Sequence, residues 1–212
     1  MITLDKNLND EYVKYLLSGK SLAMNYNTYI SQMQTMSGDT TNSVHITRSV
    51  SRLKSIFVSF VGPLEASESL TLTHGELNNF YHPMLWSDSN RYDPDKEIEW
   101  QVQIGSRLYP EYSCRSTSES YYQLLKCLGI LSSNFHSIDI NGKDYHRNKF
   151  IIGLDLEKIL QAGFTGINTK AGDMMTINTK SMTTYRNPTK MHVILHADSI
   201  LNISDGGVTV FE

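Results

Sequence analysis

The chain has 212 residues, 40% of them hydrophobic and 19% charged, with a formal net charge of −3. A chain of this length buries roughly 70% of the surface its unfolded form exposes, so it needs no disulfide or metal to hold a core, and its composition excludes general disorder. The near-neutral charge excludes a broad basic field, and no specific nucleic-acid binding is expected.

Met1 to Asp10 is polar and acidic where a secretory leader would be basic and then apolar, so export by a standard leader is not expected. The longest apolar runs, such as Ile56-Phe57-Val58, fall far short of the ~20 residues of a membrane helix, and no membrane-spanning segment is expected. Asn9 or Asp10 caps a short predicted helix over Glu11 to Leu17, which Gly19 ends. Its apolar residues Tyr12, Val13, Leu16 and Leu17 share one face. Leu22 to Met36, rich in tyrosine, threonine and isoleucine, reads as extended, and Ser37-Gly38-Asp39 as a turn. Val44, Ile46 and Val50 alternate with polar residues. Leu53 to Val61 is a predicted strand closed by Gly62-Pro63, and Glu65 to Asp95 an irregular surface excursion.

The strictest alternation in the chain is Glu97 to Ile104. Ile98, Trp100, Val102 and Ile104 fall on one face and Glu97, Glu99, Gln101 and Gln103 on the other, as a half-buried strand requires. A predicted helix follows from about Thr117 to Leu128. Ser116-Thr117-Ser118-Glu119 forms a capping box, Tyr121, Leu124, Leu125 and Leu128 make the apolar stripe, and Gly129 supplies a left-handed stop. Strand patterns resume at Phe150, Ile152, Leu154 and Leu156, at Met175 to Asn178, and at Met191, Val193, Leu195 and Ala197. The chain closes with Ile200 to Ile203, the turn Asp205-Gly206-Gly207, and Val208 to Phe211, a predicted hairpin. Strands separated by irregular loops, with one or two short helices inserted, predict an all-β fold, an antiparallel sandwich or barrel.

Chemistry is sparse. Cys114 and Cys127 match no zinc or redox spacing and read as free thiols of a reducing compartment. His192 and His196 would converge on a metal only on a helix; on a strand they lie roughly 13 Å apart. The glycines from Gly163 to Gly172 serve turns, because no Lys-Ser/Thr pair follows them into a helix as a phosphate loop demands. No Gly-x-Ser-x-Gly elbow occurs. Asp155, Glu157 and Asp173 become an acid/base pair only if the fold gathers them. The clusters Arg48, Arg52 and Lys54, and Arg147 and Lys149, read as solvated surface charge. No catalytic, cofactor-binding or metal-binding residue is assigned, no cofactor is expected, and the chain does not read as an enzyme. Trp86, Trp100 and the tyrosines allow an alternative, a carbohydrate- or receptor-binding β-sandwich, while core and interface packing is the commoner use of aromatics.

Three segments carry a family likeness when taken together. They are Val44-His45-Ile46-Thr47-Arg48-Ser49-Val50-Ser51-Arg52-Leu53-Lys54-Ser55-Ile56-Phe57-Val58; Gln103-Ile104-Gly105-Ser106-Arg107 with the Ser116 to Gly129 helix; and Ile194 to Leu201 with Gly206-Gly207-Val208. From about Leu22 onward the chain resembles the C-terminal jelly roll of double-jelly-roll major capsid proteins of Polinton-like and virophage-related DNA viruses. The resemblance implies a jelly-roll β-sandwich over 21–212 behind a connector at 1–20, self-assembly into homotrimeric capsomers with other capsid proteins, and a place in the virion after assembly inside the host cell. It implies no cofactor and no catalytic residue. The length leaves room for one jelly roll, either part of a longer chain or a single-jelly-roll relative. Phe80, Tyr81 and Trp86 are the candidate interface anchors.

Overall fold

The computed structural model describes residues 5–37, 39–61, 83, 97–132, 134–147, 149–157, 166–170, 172, 174–180 and 188–211. Glu65 to Asp95, with Phe80, Tyr81 and Trp86, therefore lies outside the described residues except for Pro83, as do Asp173 and residues 163–165 and 171 of the glycine-turn region. Nine strands and three α-helices are described: α1 (Lys6–Leu17), β1 (Leu22–Thr35), β2 (Asn42–Ile46), β3 (Leu53–Val61), β4 (Glu99–Ile104), β5 (Arg107–Cys114), α2 (Thr117–Cys127), α3 (Gly142–Arg147), β6 (Ile152–Asp155), β7 (Met175–Lys180), β8 (Lys190–Ser204) and β9 (Gly207–Phe211).

All pairings are antiparallel and fall into two sheets. One runs β1-β8-β3-β6, with β9 also on β8; the other runs β2-β7-β4-β5. Successive strands mostly change sheets, which is jelly-roll connectivity. The alternation predicted for Glu97 to Ile104 holds: Ile98, Trp100, Val102 and Ile104 are all buried, although the paired strand begins at Glu99. Opposite them lie Ile56, Val58 and Phe60 of β3 and Met191, Val193 and Leu195 of β8. Each fully buried side chain of this size contributes about 1.5–3 kcal/mol by leaving water. The Trp100 indole Nε1 donates to Ser120 Oγ at 2.8 Å, so the one polar atom of the largest core residue is satisfied from α2.

Helix α2 starts as its capping sequence requires. Ser116 Oγ accepts from the Glu119 amide at 3.1 Å, and the Glu119 carboxylate reaches back to the Arg115 amide at 2.8 Å, one residue before the cap. Gly129, at φ 70°, ends it. The buried face differs from the predicted stripe. It is Thr117, Ser120 and Leu124, while Tyr121 is partly buried and Leu128 is 37% exposed. The helix turns this face inward because Ser120 meets Trp100 and Leu124 lies on Gly153 of β6. A Cβ at Gly153 would sit 3.0 Å from the Leu124 Cα, so this approach needs glycine. Tyr121 Oη donates to the Ile140 carbonyl at 2.6 Å and Tyr145 Oη to the Ile151 carbonyl at 2.9 Å, tying the following segment across the helix.

Helix α1 begins earlier than its capping signal suggests, at Lys6, and none of its residues is buried. Strand β1 pairs with β8 along its whole length, from Leu22 opposite Ile203 to Thr35 opposite Lys190. The predicted final hairpin is present, with Ser204 opposite Gly207, but Ile200 to Ile203 continue β8 rather than forming a new strand. Among the described residues no helix is long and apolar enough to cross a membrane.

Candidate functional site

Strand β3 breaks its register against β8 between Leu53 and Ser55, leaving Lys54 as the extra residue. Side chains normally alternate across a strand; a bulge re-aims one of them. Lys54 and Ser55 consequently both line a cleft of about 310 Å³ under the C-terminal end of α2, together with Cys127, Asp155, Glu157 and His196. Lys54 Nζ lies 2.9 Å from Glu157 Oε1 and 3.6 Å from Asp198 Oδ1, with all three side chains at most 15% exposed. Burial opposes the ammonium charge, but the hydrogen bond and field of Glu157, with Asp198 behind it, outweigh burial and raise the Lys54 pKa.

On the next strand His196 Nδ1 lies 3.0 Å from Ser55 Oγ, and the Tyr29 ring stacks on the imidazole at 4.6 Å and 8°. Burial, then the Lys54 charge, lowers the His196 pKa. Asp155 Oδ1 accepts from the Glu157 amide at 3.0 Å, while burial raises this carboxyl. Asp155 Oδ2, His196 Nε2 and Asp198 Oδ2 are buried without a hydrogen-bond partner. The fold thus gathers Asp155 and Glu157, as one sequence reading allowed. It overturns the solvated reading of Lys54, which the carboxylates from β8 and the end of β6 enclose. His192 and His196 stand on a strand as expected, and among the described residues no three His, Cys, Asp or Glu side chains are placed to hold a metal ion. Burial pushes the thiols of Cys114 and Cys127 up to about 12, so both are protonated and unreactive at neutral pH.

Two surfaces stand apart from the cleft. Beyond Ser199 the long sheet continues as a three-stranded extension of β1, β8 and β9. Register places Leu22, Met24, Leu201, Ile203, Val208 and Val210 on one face of it, and Met24, Val208 and Val210 are 50%, 59% and 49% exposed. A groove of about 610 Å³ runs between β5 and α2, with Pro110, Tyr112 and Tyr122 on its walls.

The fold is a jelly-roll β-sandwich, as the resemblance in the sequence implied, and it is similar to solved structures of viral capsids. The similar solved structures include the crystal structure of PBCV-1 VP54 fitted into a reconstruction of the virophage Sputnik, with a TM-score of 0.57, 8% identity, and coverage of 98% of this chain and 54% of that one. They also include a quasi-atomic model of the PBCV-1 virus capsid, with a TM-score of 0.50, 7% identity, and coverage of 95% and 54%. The Sputnik virophage structure has a TM-score of 0.49 at 9% identity, covering 90% and 38%. The chain spans about half the length of the first two structures. No protein-family model and no curated protein matches the sequence.

Proposed function

We propose that this chain is a structural subunit of a viral capsid, a major capsid protein or its C-terminal jelly-roll part, that self-associates into homotrimeric capsomers. The observation that carries the reading is the shared fold over 98% of the chain. Residues 21–212 act as one jelly-roll domain and 1–20 as a connector; in support, α1 buries no residue whereas β1 is paired throughout. Its role is structural rather than catalytic, its place is the virion, and it assembles with other capsid proteins inside the host cell without secretion. The apolar face of the β1-β8-β9 extension supports association, because an exposed contiguous apolar surface gains most when a partner covers it. Phe80, Tyr81 and Trp86 are further candidate anchors.

Light scattering over a concentration series tests this. The complete protein should form oligomers, and Val210→Glu should weaken them without lowering the monomer's melting temperature, since Val210 is half exposed already. A complete protein that stays monomeric under all assembly conditions sinks the reading. Carbohydrate or receptor binding then takes its place, with the Tyr112 and Tyr122 groove as the observation in its favour. Glycan-array binding abolished by Tyr112→Ala would establish that alternative.

A further inference from the structure

We infer that the outer edge of β1 pairs antiparallel with β1 of a second copy of this chain about a two-fold axis, so that one sheet runs through both subunits. Strand β1 is the outermost strand of the sheet β1-β8-β3-β6, and its strand partner is β8. Among the described residues, no backbone group from Leu22 to Thr35 bonds to anything but β8. Alternate N–H and C=O groups therefore point away from the sheet along roughly 46 Å of strand.

Such an edge is a template for another strand, and proteins ordinarily guard it with charge, proline, a bulge or short length. The other outer strands are guarded in these ways. Strand β2 has five residues, β6 four and β9 five, while β5 carries Pro110 and a shifted register. Strand β1 has fourteen residues, none of them charged and none proline or glycine, in a register without interruption, and none of its side chains is buried. Across a two-fold axis each strand faces its own sequence run backwards, so a strand charged with one sign is repelled by its copy. Uncharged β1 carries no such penalty, and it offers a charged partner no complement. Each copy also satisfies the outward groups of the other at the same time. Leu22 to Gln34 paired in this way give on the order of a dozen backbone hydrogen bonds, against about 10 in a typical interface.

Residues directly opposite must share a face of the joined sheet. Centring the pairing on Thr28 meets this and sets Tyr26 against Ile30, an aromatic against a β-branched residue, and Asn25 against Ser31. The equally long alternative centres on Tyr29, whose ring is already stacked on His196. This contact rests on the self-association proposed above and gives it a second interface. A two-fold axis cannot close a ring of three, so the paired strands belong to different capsomers.

The test is a charge exchange in the complete protein, with association followed by light scattering. Asn25 and Ser31 are exposed and stand opposite Ile200 and Ile194 of their own β8, so no charged residue faces either position across that ladder. Asn25→Lys/Ser31→Lys and Asn25→Glu/Ser31→Glu should each weaken association between capsomers roughly tenfold, and an equimolar mixture of the two should restore it. Unmutated affinity in either variant, or a mixture no better than its components, overturns the inference. Should a variant fail to fold, hydrogen exchange of the unmutated protein decides. On dilution, alternate amides of β1 should exchange roughly tenfold faster or more, while those of β8, which has strands on both sides, keep their rates. Rates in β1 that ignore concentration in a protein that does oligomerise overturn this contact and leave the capsid reading standing. A protein monomeric under all assembly conditions overturns both.

Discussion

Trp100 shows how one side chain couples separate layers, and His196 how one side chain can make stability depend on pH. The Trp100 ring fills the space between the sheets while its indole N–H reaches Ser120 on α2, so packing and hydrogen bonding fail separately. Trp100→Ala should cost roughly 3–5 kcal/mol in urea unfolding. Trp100→Phe, which keeps most of the ring, should lose less, with a share of about 1 kcal/mol from the lost bond. A cost under 1 kcal/mol for the alanine variant contradicts the burial. His196 gives the pH dependence. Its folded pKa lies below 6.5, so its contribution to stability is complete above 6.5 and is lost as the pH falls toward the folded value. Asp155 has the opposite sign: its raised pKa favours the fold below 3.8 and less as the pH climbs through the folded value. Thermal melts from pH 7 to 5 should therefore decline more steeply for the unmutated chain than for His196→Gln, and equal slopes would remove His196 as the cause.

At the scale of elements, α2 separates propensity from packing. The capping residues and Gly129 act through the local backbone, and the helix begins and ends where they put it. Which side faces inward depends on Trp100 and Gly153, both distant in sequence, so the leucine pattern alone misassigned Leu128. Leu124→Ala should cost about 2–5 kcal/mol, while Leu128→Ala should stay within about 0.5 kcal/mol. Chemical unfolding of the pair checks this, and equal costs would restore the leucine stripe. The strands show the same division. Half-buried β3, β4 and β8 carry alternation that can be read directly, but β5, where Cys114 alone is buried and Pro110 lies inside the strand, shows none. The six residues of α3 are too few to show a helical period. The cleft was illegible for a related reason. A one-residue bulge at Lys54 leaves no mark in a hydropathy pattern, yet it decides that Lys54 and Ser55 share a wall.

For the whole molecule, the decisive facts are pairings between remote segments. Strand β2 finds β7, with Val44 opposite Ile177, and β1 finds β8; alternation identifies a strand without naming its neighbour. Such non-local topology carries a high contact order and favours slow folding. The β1-β8 ladder has a further consequence, a mechanical one. It runs for fourteen residues of β1, roughly 46 Å at ~3.3 Å per residue, and antiparallel hydrogen bonds lie across the strands. Tension between Leu22 and Lys190, at opposite ends of the ladder, drags the two strands past each other and strains every rung at once. Tension between Leu22 and Ser204, at the same end, opens the rungs one after another. Optical tweezers attached through cysteines at those positions should need clearly more force for the first geometry, and equal forces would show that the ladder does not carry the load. A shell tiled from such sandwiches would resist stretching along this ladder far better than peeling at its end, so its stiffness would depend on how each subunit is turned in the wall.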